Sequence, residues 1–445
     1  MMTSNRATGL KTSVAIAALI ALSACGIFKG GKTKTPVLGD RVPILLSESA
    51  VEADKTLSGV QVLLPPAETN TEWTQPGGNA AKAMGQLALP DTLTRAWTAQ
   101  INGGSNRQRL ASPPVVSANR LYAMDVDGVV HAFAADTGAK IWATDIVKGD
   151  ENKSARFGGG VSFDDGKVYA TDGLGDVVAL DAGTGAEVWR AKPGGPLRGS
   201  PTIAYGNVYV LSQDNQLFSL AQADGKVAWS ASGSLESQGV FGVAAPAASS
   251  GTIVAGFSSG ELNAYRYENG RALWQDALSR SAISTSVSSL ADIDAAPVID
   301  QGRVYAVGQG GRTVAIDIGT GRRIWSQNFA GISTPSIAGE WLFLITDDAK
   351  LVCLSRATGL VRWISQLKAF DNEKKRSGAI TWFGPVVAGN RLIVTNSNGE
   401  IVSAAVTDGA VGTVIKGGAP FNLAPIVANG TLYALDMKGR ITAYR

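Results

Sequence analysis

The sequence predicts an all-β protein, an eight-bladed β-propeller of four-stranded blades closed by a strand from the N-terminal side. Three observations carry the prediction. A repeat runs through the chain on a fixed internal ruler. Within each repeat, short runs of strand-forming residues alternate with turn residues. The last repeat stops before its final strand, and a matching strand lies upstream of the first.

Taken in chain order, residues 1–24 read as an export leader. Arg6 and Lys11 precede the apolar run Val14–Leu22, whose nine residues are too few to span a bilayer but suit a signal-peptide core. "LSAC", Leu22 to Cys25, then resembles the bacterial lipoprotein signal. That resemblance implies that Cys25 becomes an acylated N-terminus. Gly26 in place of an aspartate implies sorting to the outer membrane. The alternative is an ordinary signal peptide with an incidental cysteine. Residues 25–40 are rich in Gly, Lys and Thr and read as the acylated Cys25 with a flexible tether. Residues 41–92 form an extension leading into the ring, and 93–445 are the propeller.

"LTRAWTAQI", residues 93–101, carries Trp97 and reads as the fourth strand of the last blade. Its pairing would latch the ring and remove an open sheet edge. The repeats follow. Pro114, Pro201, Pro246, Pro297, Pro335, Pro385 and Pro425 align as anchors, and Val161 fills the remaining slot. Eighteen residues on stands a small residue: Ala132, Ala179, Ser219, Ala264, Ala315, Cys353, Ser403 and Ala443. A small side chain there lets the next blade approach closely, and Cys353 reads as one more such residue. Twenty-eight residues on stands Trp142, Trp189, Trp229, Trp274, Trp325 or Trp363; Thr413 replaces it in the seventh repeat, and the eighth ends first. Anchor spacings of 38 to 51 residues fit a propeller blade. The "TG" or "DG" four residues before the Trp fits a tight turn with positive φ.

Composition narrows the function. One His and two Cys argue against zinc and most proton-shuttle chemistry. Without Arg6 and Lys11 the balance is 38 basic to 37 acidic residues, so no basic excess points to nucleic acid. "GFSSG", residues 256–260, matches the nucleophile-elbow pattern, but it falls in a strand–strand turn and the single histidine, His131, precedes it. His131 reads as a packed or surface residue. The charged stretch "DNEKKRS", residues 371–377, reads as a solvated loop in the sixth-to-seventh connection, on a face it shares with the loops below.

"ALDAGTGAEVW", Ala179 to Trp189, and "AIDIGTGRRIW", Ala315 to Trp325, resemble the pyrroloquinoline-quinone-type propeller repeat. Two families use eight such blades: quinone-dependent dehydrogenases, and the BamB lipoproteins of the outer-membrane β-barrel assembly (BAM) machine. The first needs a calcium site, cofactor-stacking residues and typically an adjacent cysteine pair; this chain has only Cys25 and Cys353. "TEWTQPGGNAAKAMGQLAL", residues 71–89, is similar to the segment preceding the ring in BamB proteins. Their contact loops follow the second and fourth blades. Here "GPLRGSP" matches at Leu197 and Arg198, with Gly195 where the family has a first Leu, and "ADIDAAP" matches at Asp292 and Asp294.

The BamB resemblance implies no enzyme activity and no cofactor. It implies a scaffold lipid-anchored at the outer membrane and facing the periplasm. Its partners would be the periplasmic domains of BamA, the barrel subunit, and other BAM subunits, with unfolded barrel clients as a further possibility. The contact residues would be Leu197, Arg198, Asp292 and Asp294. From the residues alone, both loops join a fourth strand to the next first strand. They therefore share a face and converge near the channel mouth, presenting one cation, two anions and an apolar side chain. The two aspartates alternate, so an extended backbone aims both the same way. They then either grip a partner or remain ordinary turn carboxylates. An envelope polysaccharide- or peptide-binding lipoprotein is the remaining class.

Overall fold

The computed structural model describes residues 51–105, 108–148, 158–235, 244–278, 292–309 and 311–445. The leader, Cys25 and the tether lie outside the described residues, as do 279–291 just before Asp292. Within the described chain there are eight four-stranded antiparallel sheets, one small two-stranded sheet and a single short 3-10 turn at Lys55–Leu57. The eight-bladed propeller expected from the repeat is therefore the fold. In the fifth blade the strands are Val298–Asp300, Arg303–Gly308, Arg312–Asp317 and Arg323–Gln327.

The repeat residues make the joints between blades. The first three strands of a blade are largely buried; the fourth is exposed apart from its tryptophan. That tryptophan faces the small residue across the sheet: Ala132 opposite Trp142, Ala315 opposite Trp325, Cys353 opposite Trp363. A β-bulge follows the small residue in each of these pairs. The small side chain thus clears space for the indole of its own blade, a closer reason for its size than the expected approach of the next blade. Each indole lies on the turn glycine of the following blade. A Cβ at Gly138, Gly225 or Gly321 would stand 2.5 Å from Trp97, Trp189 or Trp274. All three glycines also have positive φ, which a residue with a side chain adopts reluctantly. The indole N–H donates to a backbone carbonyl of that same next blade, as from Trp142 to Ala182, Trp274 to Ile318 and Trp363 to Val406.

The closing strand is Arg95–Gln100, paired antiparallel with Arg440–Tyr444 and placing Trp97 opposite Ala443. Thr94 and Arg445 exchange both backbone hydrogen bonds, at 2.7 and 2.9 Å. This closure explains Thr413. Because the eighth blade takes its fourth strand from the other end of the chain, it has no third-to-fourth turn, and a tryptophan at 413 would have no glycine to rest on.

Residues 68–88 form a plug that the repeat does not foretell. They run from blade to blade and bond mostly at the residue two after each anchor. Trp73 pairs with Val116, Thr74 accepts from Phe163, Gln75 exchanges two bonds with Ile203, and Ala80 and Ala81 accept from Ala248 and Ile299. Leu87 pairs at Val387–Ala388, and Asn70 donates to Val427. Upstream, Val62 is buried in the core of the sixth and seventh blades and Asp54 donates to Val361. The charged stretch 371–377 is the tip of a hairpin, Phe370–Asn372 with Ser377–Ala379, rather than an irregular loop, and its residues are exposed.

A buried ion cluster between two connecting loops

The loops after the second and fourth blades do converge. Arg198 Nη2 donates to Asp292 Oδ1 at 2.9 Å and to Asp294 Oδ1 at 3.3 Å, so the alternating aspartates present themselves to one side. The backbone fixes the geometry. Arg198 N donates to Leu211 O, Gly159 N donates to Arg198 O, and Gln309 N donates to Asp292 O. Between the aspartates, Ile293 is fully buried, and a side chain at Gly256 would occupy its place, 2.5 Å from its Cγ2.

The displayed rim expected from the sequence is not what these residues form. Leu197 is fully buried and packs with Trp189, Phe218 and Leu220; Arg198 is 2% exposed and Asp292 1%. Asp294 alone of the four keeps some exposure. The reason is spatial: each loop supplies the other's counter-charge, so pairing inside the chain satisfies groups that would otherwise need a partner or water. Gly195 and Pro196 are exposed at the turn before Leu197, and a side chain at Gly195 would meet nothing within 4 Å. The leucine that the BamB pattern puts there would project from the surface, and this chain lacks it.

Two carboxylates against one guanidinium leave a negative excess in a poorly solvated place. Burial, and next the charge of Asp292, push the Asp294 carboxyl up to about 7, against the pull of Arg198. A proton on Asp294 makes the cluster neutral. Asp347, on the sixth blade's second-to-third turn, adds to the same negative field; burial and the neighbouring Asp348 bring it to about 6. A groove of about 630 Å³ extends from there to the exposed hairpin, lined by Phe370, Glu373 and Arg376 among others.

The other singled-out residues have structural places. Ser258 of "GFSSG" donates to Asn215 Oδ1 at 2.7 Å in a strand–strand turn of the fourth blade. His131 is buried in the first blade, 2.9 Å from Asp125 Oδ2. Cys353 is buried, and burial raises its thiol well above the ordinary range. Among the described residues, no group of three or more His, Cys, Asp or Glu is placed to hold a metal.

Eight four-stranded blades, seven of them latched by a tryptophan, closed by an upstream strand define a pyrroloquinoline-quinone-type repeat propeller. A family model described as "Outer membrane protein assembly factor BamB" matches residues 126–365, more than half of the chain. The chain belongs to the BamB family. Proteins named outer membrane protein assembly factor BamB are similar along most of their length: that of Yersinia pestis is 26% identical over 79% of this chain and 88% of its own, and that of Escherichia coli K12 is 27% identical over the same shares. The Vibrio cholerae protein is 34% identical over 58% of this chain and 65% of its own. Among solved structures, BamB from Moraxella catarrhalis superposes with a TM-score of 0.68 at 20% identity, covering 80% of this chain and all of its own. The quinohemoprotein alcohol dehydrogenase of Comamonas testosteroni superposes with a TM-score of 0.67 at 15% identity, covering 85% and 81%. At those identities the superpositions speak for the fold alone.

Proposed function

We propose that this chain is a non-catalytic scaffold of the outer-membrane β-barrel assembly complex. Residues 1–24 direct export, acylated Cys25 anchors the protein to the periplasmic side of the outer membrane, and 25–40 tether the ring. The face bearing the connections after the second and fourth blades binds the periplasmic domains of BamA, and the complex inserts barrel proteins. The observation that carries this reading is the Arg198–Asp292–Asp294 cluster, since it joins the two loops of the BamB pattern into one rigid unit. Leu197, Arg198 and Asp292 act mainly by holding the loops in shape; Asp294 and the exposed turn at Gly195–Pro196 make the contact.

The test is calorimetry of the folded Asp292→Ala/Asp294→Ala protein with the BamA periplasmic domains. Affinity falls by about 2–5 kcal/mol if a desolvated charge pair forms across the interface. Wild-type affinity with an unchanged circular dichroism spectrum would return the aspartates to a purely internal role. Anchoring is tested separately: Cys25→Ala leaves an unprocessed precursor or a soluble periplasmic form on fractionation, and unchanged membrane attachment would rule out acylation at Cys25.

A further inference from the structure

The plug turns the middle of the ring into a cup. A cavity of about 180 Å³ lies between the plug and the connection face, with Met84, Leu87, Phe383 and Leu423 among its apolar lining and Asp294 at its border. A cavity of about 150 Å³ with apolar walls is enough to hold benzene. This one is not purely apolar. Lys82, in the plug, is 4% exposed, and its single hydrogen bond goes to a neutral group, Thr202 Oγ1 at 3.2 Å. That leaves a buried ammonium with unused donors and, among the described residues, no counter-ion. Trp73, also lining the cavity, is 5% exposed and its indole N–H has no acceptor among the described residues. The contrast with the ring is sharp: all seven blade tryptophans donate to a carbonyl. A buried donor left without an acceptor is destabilising, more so when charged, and calls for a partner.

We propose that the plugged cavity is a binding site for a small monocarboxylate with a compact apolar body, its carboxylate held by Lys82 and the Trp73 indole N–H. Apolar walls select the body and two donors from one segment select the charge. Lys82 and Asp294 are the titratable side chains lining the cavity, and Asp294 accepts a hydrogen bond from Arg198. Burial holds the Lys82 ammonium down at about 7. An arriving anion restores its proton, so binding near neutrality takes up protons, and it weakens at alkaline pH where the amine is neutral. Asp294 borders this cavity, but the proposal does not rest on BamA binding, and it is tested without BamA.

The experiment is calorimetry of the mature chain with benzoate, and with benzyl alcohol as the neutral isostere, at pH 7 in buffers of different ionisation enthalpy. The expected result is at least tenfold preference for benzoate, with a heat that depends on the buffer. Lys82→Met keeps the apolar volume and is expected to erase the preference. Should that variant not fold, the indole N–H resonance of Trp73 in the wild-type protein serves instead, shifting with benzoate and not with benzyl alcohol. Equal response to the two compounds, or none at about 10 mM, a concentration above Kd for any site of about millimolar affinity, would overturn the proposal and leave water as the partner of these groups.

Discussion

Arg198 faces two carboxylates in a place that water hardly reaches, and removing it is a different act from removing a surface arginine. Arg198→Ala leaves a buried negative pair without compensation, a change that destabilises by about 3–5 kcal/mol. The denaturation midpoint in urea reads that loss. Asp294 makes a second prediction with a definite sign. Its folded pKa of about 7 lies above the ordinary carboxylate value, so the folded chain keeps a proton that the unfolded chain releases. Its contribution to stability is therefore complete below about pH 4, falls as pH rises toward 7, and levels off above. Asp294→Asn removes that slope. Between pH 5 and pH 8 the wild-type midpoint is expected to fall relative to the variant's; parallel curves would show that Asp294 titrates normally. The sequence placed both aspartates on one side of an extended stretch and both loops on one face. It did not reveal the internal counter-ion, because Arg198 and Asp292 are 94 residues apart and charged loop residues ordinarily read as solvated.

At the scale of the element, the repeat's tryptophan is a latch between blades rather than a filler within one. Trp274 fills the space over Gly321 and donates to Ile318, both in the next blade. Trp274→Ala is expected to destabilise by about 3–5 kcal/mol. Thr413 holds the same ruler position but is exposed and has no turn glycine beyond it, so Thr413→Ala should change stability by no more than about 0.5 kcal/mol. Thermal melts of the two variants check the contrast; equal losses would mean that the ruler position, and not the neighbouring turn, confers stability. Blades were legible because their pattern recurs: a turn glycine, three residues, a tryptophan. The plug was not. "TQPGGNAAKAMGQ", residues 74–86, has no period of two, since each blade accepts only one or two of its backbone groups. The hairpin at 370–379 was hidden likewise, its exposed charges reading as loop composition.

For the whole molecule, the question is what keeps a ring of eight similar sheets from opening. Seven of the blades hold all four strands from one continuous stretch, so local damage to them leaves the chain path around the ring intact. The eighth differs. Its outer strand, Arg95–Gln100, arrives from the far end of the sequence and continues into the first blade, so this pairing alone carries the chain from last blade to first. The comparison that isolates closure uses matched lesions in two outer strands. Neighbouring residues of a strand point their N–H groups to opposite sides, so a double proline removes one ladder bond wherever it falls. Thr98→Pro/Ala99→Pro damages the closing strand, and Val414→Pro/Ile415→Pro damages the outer strand of the seventh blade, Val411–Lys416. The local cost is alike. Only the first lesion also frees the ends, exposes the edge of Arg440–Tyr444 and lifts Trp97 from Gly138. Its melting temperature is therefore expected to drop further, with loss of a single cooperative transition. Equal drops would mean that the plug, which touches blades all around the ring, is sufficient to hold it shut without the closing strand.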